Sequence, residues 1–415
     1  MKLRLMTTLV ALASCGQALA GDEPPVRFSG FGTLGVLRSN GHDADYVLNI
    51  EQRYGSGLTN TLDSSLDTKF ALQADATLAS GLTATAQLMS RRHSDNTSRA
   101  EFEWLNLRYQ TQFGMYLRGG RVQTPMFMLA DFQNVGYALT PLRVPAEVYS
   151  QNILTHLDGA DIGYRKRLGE LMLGSKVLAG KRKLSLQSNG GANFEFDIAM
   201  ATLSGEFHGS TLRSAYARFK IHSQADNYTL LSNSLATLAA NNIPNAATAQ
   251  GNLQLDGNNA SFLTFGYGYD KDKVLLLSEY SISKADGNAY MNKDAWYLLG
   301  GYRLGQFIPY VSHARLKTTE QFNLPLINVA GTPTALQRAA GTVNSFINGF
   351  TTKQDQNTWS IGCRWDALDN IALKLQADRV AKPAGSKGNF NNATPSFIAE
   401  KHNVSVISAS IDFTF

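Results

Sequence analysis

Histidines, serines and carboxylates are the side chains most able to do covalent or metal chemistry, and here they are scattered. His42, His93 and His402 lie in polar connecting stretches, while His156, His208, His222 and His313 stand far apart. None has the H-E-x-x-H spacing that puts two imidazoles and a base on one helix face. No G-x-S-x-G elbow and no phosphate-cradling glycine loop occurs. A hydrolase would need a serine, a histidine and a carboxylate or amide to meet, and His156 and nearby Ser150 do not show that geometry from sequence. The pairs Asp43 and Asp45, and Asp270 and Asp272, offer at most weak Ca²⁺ ligands, and solvated loop acids are the plainer reading. No catalytic, cofactor or metal site is therefore expected. What remains is electrostatic: arginines and lysines recur at alternate positions in runs whose other positions are apolar.

Those runs define the elements that must position the charges. Phe70, Leu72, Ala74, Ala76 and Leu78 alternate with Lys69, Gln73, Asp75 and Thr77. Ile371, Leu373, Leu375 and Ala377 alternate with Lys374, Gln376 and Asp378, and Trp359, Ile361, Cys363 and Trp365 with Ser360, Gly362, Arg364 and Asp366. A period of two is the signature of a strand with two unlike faces. Sixteen such strands are expected, over 26–37, 65–78, 81–92, 100–110, 113–123, 155–167, 170–180, 194–206, 211–222, 260–270, 273–284, 293–304, 306–318, 356–367, 370–380 and 403–415. The last reads N-V-S-V-I-S-A-S-I-D-F-T-F and stops on Phe415. Connections between strands alternate short and long, as hairpins must when they turn at two opposite rims. The fold class is all-β: a transmembrane antiparallel β-barrel of about sixteen strands, with short periplasmic turns and long extracellular loops.

Residues 1–20 read as a secretory signal peptide: Lys2 and Arg4, an apolar stretch from Leu5 to Ser14, and a small-residue motif at Ala18-Leu19-Ala20. Leu12-Ala13-Ser14-Cys15 offers a lipoprotein signal as the rival. Residues 21–415 form a single barrel domain. No later stretch has about 18 consecutive apolar residues, which excludes a helical inner-membrane protein but not a barrel. Hydrophobic residues make up 43% of the chain, yet the mean hydropathy is only -0.19, as alternating spans require. Loss of Cys15 with the signal leaves Cys363 alone, so no internal disulfide is expected. The formal charge of +5 is too mild to argue for nucleic acid.

Export signal, strand alternation, loop alternation, the glycine-rich opening strand R-F-S-G-F-G-T-L-G-V (Arg27 to Val36) and the terminal Phe415 together resemble the general porins of Gram-negative outer membranes. That resemblance implies a sixteen-stranded barrel, a homotrimer, and help from periplasmic chaperones and the barrel-assembly machinery. It also implies that the third long connection, 124–154, folds inward and narrows the lumen. The connection carries Met126, Phe127, Met128, Leu129, Phe132, Val135, Tyr137 and Leu139, a run that wants burial. Packing at a subunit interface, or as a short helix on top of the barrel, is the alternative. The acidic P-E-F-G-G segment of many enterobacterial porins is missing, which points to a divergent branch.

Charges on the lipid face cost about 2–4 kcal/mol at midplane, so strand phase sends Arg91, Arg108, Arg118, Arg165, Arg167, Arg218, Lys220, Arg315, Lys317, Arg364 and Lys374 into the lumen. Inward acids are expected at Asp75, Glu195, Asp197, Glu279, Asp366, Asp378 and Asp412. Arg91, Arg108, Arg118, Arg121, Arg165, Asp131, Glu147, Arg364 and Lys374 are the candidate pore-lining residues, with Asp131 and Glu147 facing the arginines across the gap. Pairing within the wall, or contact with lipopolysaccharide phosphates at a rim, is the plainer reading of any single arginine. The expected function is passive diffusion of small hydrophilic solutes and ions, with a preference for anions. The expected partners are those solutes, lipopolysaccharide and phospholipid. A substrate-specific channel of the same fold, an adhesin or structural barrel, and an outer-membrane hydrolase are the alternatives.

Overall fold

The computed structural model describes residues 26–49, 52–151, 154–186, 192–223, 226–252, 257–286, 291–320 and 324–415. The expected signal peptide lies outside them. All sixteen expected strands are present: β1 (Val26–Ser39), β2 (Lys69–Ala79), β3 (Leu82–Arg91), β4 (Ala100–Gln110), β5 (Met115–Gln123), β6 (His156–Leu168), β7 (Leu171–Leu186), β8 (Ala192–Phe207), β9 (Ser210–Ser223), β10 (Asn259–Lys271), β11 (Val274–Ala285), β12 (Asn292–Tyr302), β13 (Phe307–Glu320), β14 (Gln356–Leu368), β15 (Ile371–Lys382) and β16 (His402–Thr414). Each pairs antiparallel with its sequence neighbours. β1 closes the ring by pairing β2 through Val26–Thr33 and β16 through Phe31–Ser39. Closure leaves no strand edge in need of partners.

Two boundaries differ from the alternation. β2 begins at Lys69 rather than 65, because the Asp63 carboxylate accepts the Ser65 and Leu66 amides and holds that stretch as a turn. The ladder of β7 and β8 runs on to Leu186 opposite Ala192, so most of the connection expected from 181 is strand. The short turns follow local chemistry: between β8 and β9, His208 and Gly209 both take positive φ, at 47° and 82°, the twist a two-residue hairpin prefers.

Apolar side chains cover the outside of the wall, among them Leu105, Val177, Leu203, Ile361, Leu375 and Ile407. Cys363 lies on the same face as Trp359 and Ile361, as alternation predicts. Among the described residues no helix is long and apolar enough to cross a membrane, which says nothing about crossing by strands.

The long connections are built. Short strands at 45–46, 56–57 and 390–391 join the first and last of them in a three-stranded sheet. Helices α2 (Asp226–Ala240), α3 (Ala246–Asn252) and α4 (Thr334–Thr351) come from two others. They share a second core of Leu231, Leu235, Leu238, Ile243, Val343 and Ile347.

Candidate functional site

The 124–154 connection leaves β5 and packs against inward-facing residues of the wall. Met126, Phe127, Leu129, Leu139, Val148 and Tyr149 are buried in one cluster with Leu178, Ile198, Met200, Phe219 and Phe262 of the strands. Burial of this apolar run is the main driving force that holds it there.

Polar anchors set its register. Near its start, Met128 N donates to Glu279 at 2.7 Å, and Tyr149 and Tyr297 hydroxyls donate to the same carboxylate. Thr264 Oγ1 donates to the Met126 carbonyl at 2.7 Å. The tip forms a single 3₁₀ turn, Gly136–Ala138. There Lys374 Nζ donates to the carbonyls of Gly136 (2.6 Å) and Pro141 (3.1 Å) while pairing with Asp412 at 3.1 Å. Arg364 donates to the carbonyls of Tyr137 and Leu139, at 2.5 and 2.9 Å. On the returning arm Arg143 is buried between Asp67, Asp378 and Ser408, at 2.7, 3.1 and 2.7 Å. A short helix, α1 (Ala146–Tyr149), carries Glu147 onto Gln356 and Thr358. Burial pushes the Glu147 carboxyl up from its usual value, with the Thr358 and Gln356 donors pulling the other way.

The connection thus packs on β7 through β16, and an open space is left beside β1 to β6 and at the short-turn ends of β7 to β11. Two adjoining cavities occupy it, of about 470 and 590 Å³, and both are bordered by Arg108 and Arg118. The smaller is lined by Arg27, Gln73, Asp75 and Trp104. The larger has two unlike walls. One is a cationic arc, one residue per strand: Arg108 on β4, Arg118 on β5, Arg165 on β6, Lys176 on β7 and Arg213 on β9. All five lie within five residues of the strand ends at the short turns. Facing them are Met128, Leu129, Phe132, Leu139 and Pro141, together with Asp131.

Three arc members are matched by acids: Arg118 by Asp161 at 2.6 Å, Arg165 by Glu206 at 2.9 Å and Arg213 by Asp131 at 3.1 Å. Arg108 stacks over Tyr116 at 4.3 Å and donates to Gln110. Lys176 makes no ion pair within 4 Å among the described residues. The arc therefore carries more positive than negative charge.

Of the nine candidate pore-lining residues, Arg108, Arg118, Arg165 and Asp131 meet in this space. Arg91 shares the inner face beside Glu103, at 3.8 Å. Arg364, Lys374 and Glu147 are buried as anchors of the connection, so Glu147 does not face the arginines across a gap. Arg121 is on the other side of the wall. Directly opposed residues share a face, and Arg121 lies opposite outward-facing Leu105 and opposite Asp158, with which it pairs at 2.7 Å.

The same register corrects further phase assignments. The row continues from Asp158 to Lys181, Asp197 and Lys220, all on the outer face. Glu195, paired with Lys181, is outward too, as are Arg218, Arg315 and Lys317. Polarity misled the alternation here because the packed connection makes the inner face apolar at Ile198, Met200 and Phe219. Charged positions then take the outside, towards the long-loop rim. Lys176, Arg213, Asp161 and Glu206 were not singled out, and only inward phase marks them in the sequence. The loop acid Asp45 is occupied by Thr59 and Asn392, and Asp270 by Arg303.

No protein-family model matches this chain, and no curated protein sequence matches it significantly. Solved structures do. The outer membrane channel DcaP of Acinetobacter baumannii is similar over 96% of this chain and 100% of its own, with a TM-score of 0.54 and 11% identity. An anion-selective porin from Comamonas acidovorans matches over 94% and 99%, with a TM-score of 0.53 and 12% identity. Salmonella typhi OmpF, in complex with daunomycin, matches over 94% and 97%, also with a TM-score of 0.53 and 12% identity. At these identities the likeness is one of fold: a sixteen-stranded closed barrel closely resembling known outer-membrane porins.

Proposed function

We propose that the protein is a passive diffusion channel of a Gram-negative outer membrane, with the 124–154 connection as its constriction and with a preference for anions. The observation that carries the reading is the cationic arc set against the loop face, in the space the loop leaves free. A solute passing there meets an excess of fixed positive charge on one side. Opposed charges across a narrow aqueous gap sort solutes by charge and dipole without tight binding. The apolar loop residues Met128, Leu129 and Phe132 favour a second, narrower reading: organic anions with an apolar body pass better than inorganic ones of the same charge. Assembly as a homotrimer, and insertion with chaperones and the barrel-assembly machinery, belong to the same proposal.

Single-channel recording of the purified protein in a planar bilayer under a KCl gradient tests it. Stepwise currents, in groups of three for a trimer, with a reversal potential of the sign that marks chloride over potassium, are expected. Folded protein that passes no current would overturn the reading in favour of a plugged or adhesive barrel.

A further inference from the structure

The smaller cavity, of about 470 Å³, is built differently from the larger one. Cross-strand register lays the inner wall there out in three rows on β1 to β5. The middle row is Arg27, Asp75, Thr85 and Asn106, each directly opposite the next. On its short-turn side lie Thr77, Thr83, Arg108 and Arg118, again in direct opposition. On its other side lie Gln73, Gln87 and Trp104. Trp104 and Arg108 stand four residues apart on one strand, about 14 Å.

The polar groups hold one another in place. Gln87 Nε2 donates to Gln73 Oε1 at 2.8 Å, Gln73 Nε2 to one oxygen of Asp75 at 2.7 Å, and Thr85 Oγ1 to the other at 2.6 Å. Three groups are left over. Arg27 is exposed, although it stands opposite Asp75, and it makes no ion pair within 4 Å among the described residues. Arg108 has the Gln110 amide and the Tyr116 ring beside it, and likewise no acid. Trp104 is half-buried and lines the cavity, and its indole has no ring or cation partner among the described residues.

These groups select among solutes. An inorganic anion would use the arginines and leave the indole and the hydroxyl rows without a role. An aromatic acid would use the indole and one arginine, and still leave the hydroxyls. A pyranose ring turns apolar C–H groups to one face, which pack on an indole. Its edge carries hydroxyls, which both donate to and accept from threonine and asparagine side chains. A carboxylate on the ring meets a guanidinium. One ring on Trp104 does not reach Arg108 about 14 Å away, whereas two linked rings do. The volume is within the range of about 300–1,000 Å³ that small-molecule sites occupy.

We propose that the smaller cavity is a binding site for an acidic disaccharide, a pair of linked uronic acids. One ring lies on Trp104, hydroxyls meet Thr83, Thr85 and Asn106, and the carboxylates meet Arg27 and Arg108. The inference rests on the channel reading above and deepens it by naming a solute class. The contacts are open to water, so the sugar is held weakly and released, as conduction requires.

Isothermal titration calorimetry of the full-length protein in detergent tests it, with digalacturonate, the neutral disaccharide galactobiose of the same linkage, and benzoate as probes. Digalacturonate should bind saturably and more tightly than either of the others. Trp104→Ala should weaken both sugars by roughly fivefold, and Trp104→Tyr should restore most of that loss. Arg27→Gln should weaken digalacturonate by roughly threefold and leave galactobiose unchanged. Digalacturonate binding that Trp104→Ala leaves unaltered overturns the site. Galactobiose bound as tightly as digalacturonate overturns the role of the arginines. Benzoate bound through Trp104, with neither sugar bound, gives the cavity to aromatic acids and overturns the proposal. Calorimetry reads binding without current, so the two readings fail separately. Ionic current from a protein that binds no sugar removes this site alone, and sugar binding by a folded protein that passes no current removes the channel reading alone.

Discussion

The Tyr137 hydroxyl donates to the Asp369 carbonyl at 2.6 Å. Tyr137 sits at the tip of the 124–154 connection, which starts from a long-loop rim, and Asp369 sits in the short turn between β14 and β15. The connection therefore runs the height of the barrel and touches the opposite rim. In the proposed channel, a loop seated that deeply would narrow a long passage rather than a single ring.

Gly136 shows how closely the tip fits. A Cβ there would come within 2.0 Å of Asp412 Oδ1 and 2.4 Å of Thr33 Oγ1. Gly136→Val should push the tip off the wall, at a cost of about 1–3 kcal/mol. Single-channel conductance and current noise should change together. Recordings indistinguishable from the parent would mean that the tip does not border the passage.

Arg143 joins Asp67 of the first long connection to Asp378 of β15. Arg143→Met leaves two buried carboxylates without their cation, which should destabilise the fold by about 3–5 kcal/mol. Asp67→Asn and Asp378→Asn added to that variant should recover much of the loss. Heat-induced unfolding of the three proteins measures both effects. A loss that the asparagines do not relieve would assign Arg143 a packing role alone.

Selectivity should depend on side of wall, not on charge count. Lys176→Glu alters the arc, and the anion-to-cation permeability ratio should fall roughly two- to fivefold, the effect of about 0.5–1 kcal/mol for a charge a few ångströms from a passing ion in water. Arg121→Glu makes the same change in net charge on the outer face and should leave the ratio unchanged. Equal effects from both would argue against the arc as the selectivity element.

Glu147 should make loop docking depend on pH. Its carboxyl is raised from 4.5 by burial, so the docked state binds the proton more tightly than the undocked one. Its contribution is fully present below the undocked value and is lost as pH rises through the docked value. Glu147→Gln removes the titration, so the variant's melting temperature should gain on the parent's as pH is raised from 4 upward. A difference that does not vary with pH would show that Glu147 does not titrate in this range.

Strand number, strand order and the alternation of short and long connections were legible in the sequence. Each follows from local rules: period two along a strand, tight-turn residues at one rim, and closure. The apolar run from Met126 to Leu139 also announced that its connection must be buried. The side of the wall taken by each charge needed the tertiary structure. Alternation assumes that the lumen is wet everywhere, and from β7 to β13 the packed connection makes the inner face apolar, so Arg218, Lys220, Glu195 and Asp197 point out. Arg364, Lys374 and Glu147 were recognised as inward, but their partners are loop carbonyls and wall hydroxyls brought together from distant parts of the chain. Lys176 and Arg213 became part of the arc only because the connection left their side of the barrel open. Local periodicity decided which face each strand could offer, and long-range packing of one connection decided which charges a solute would meet.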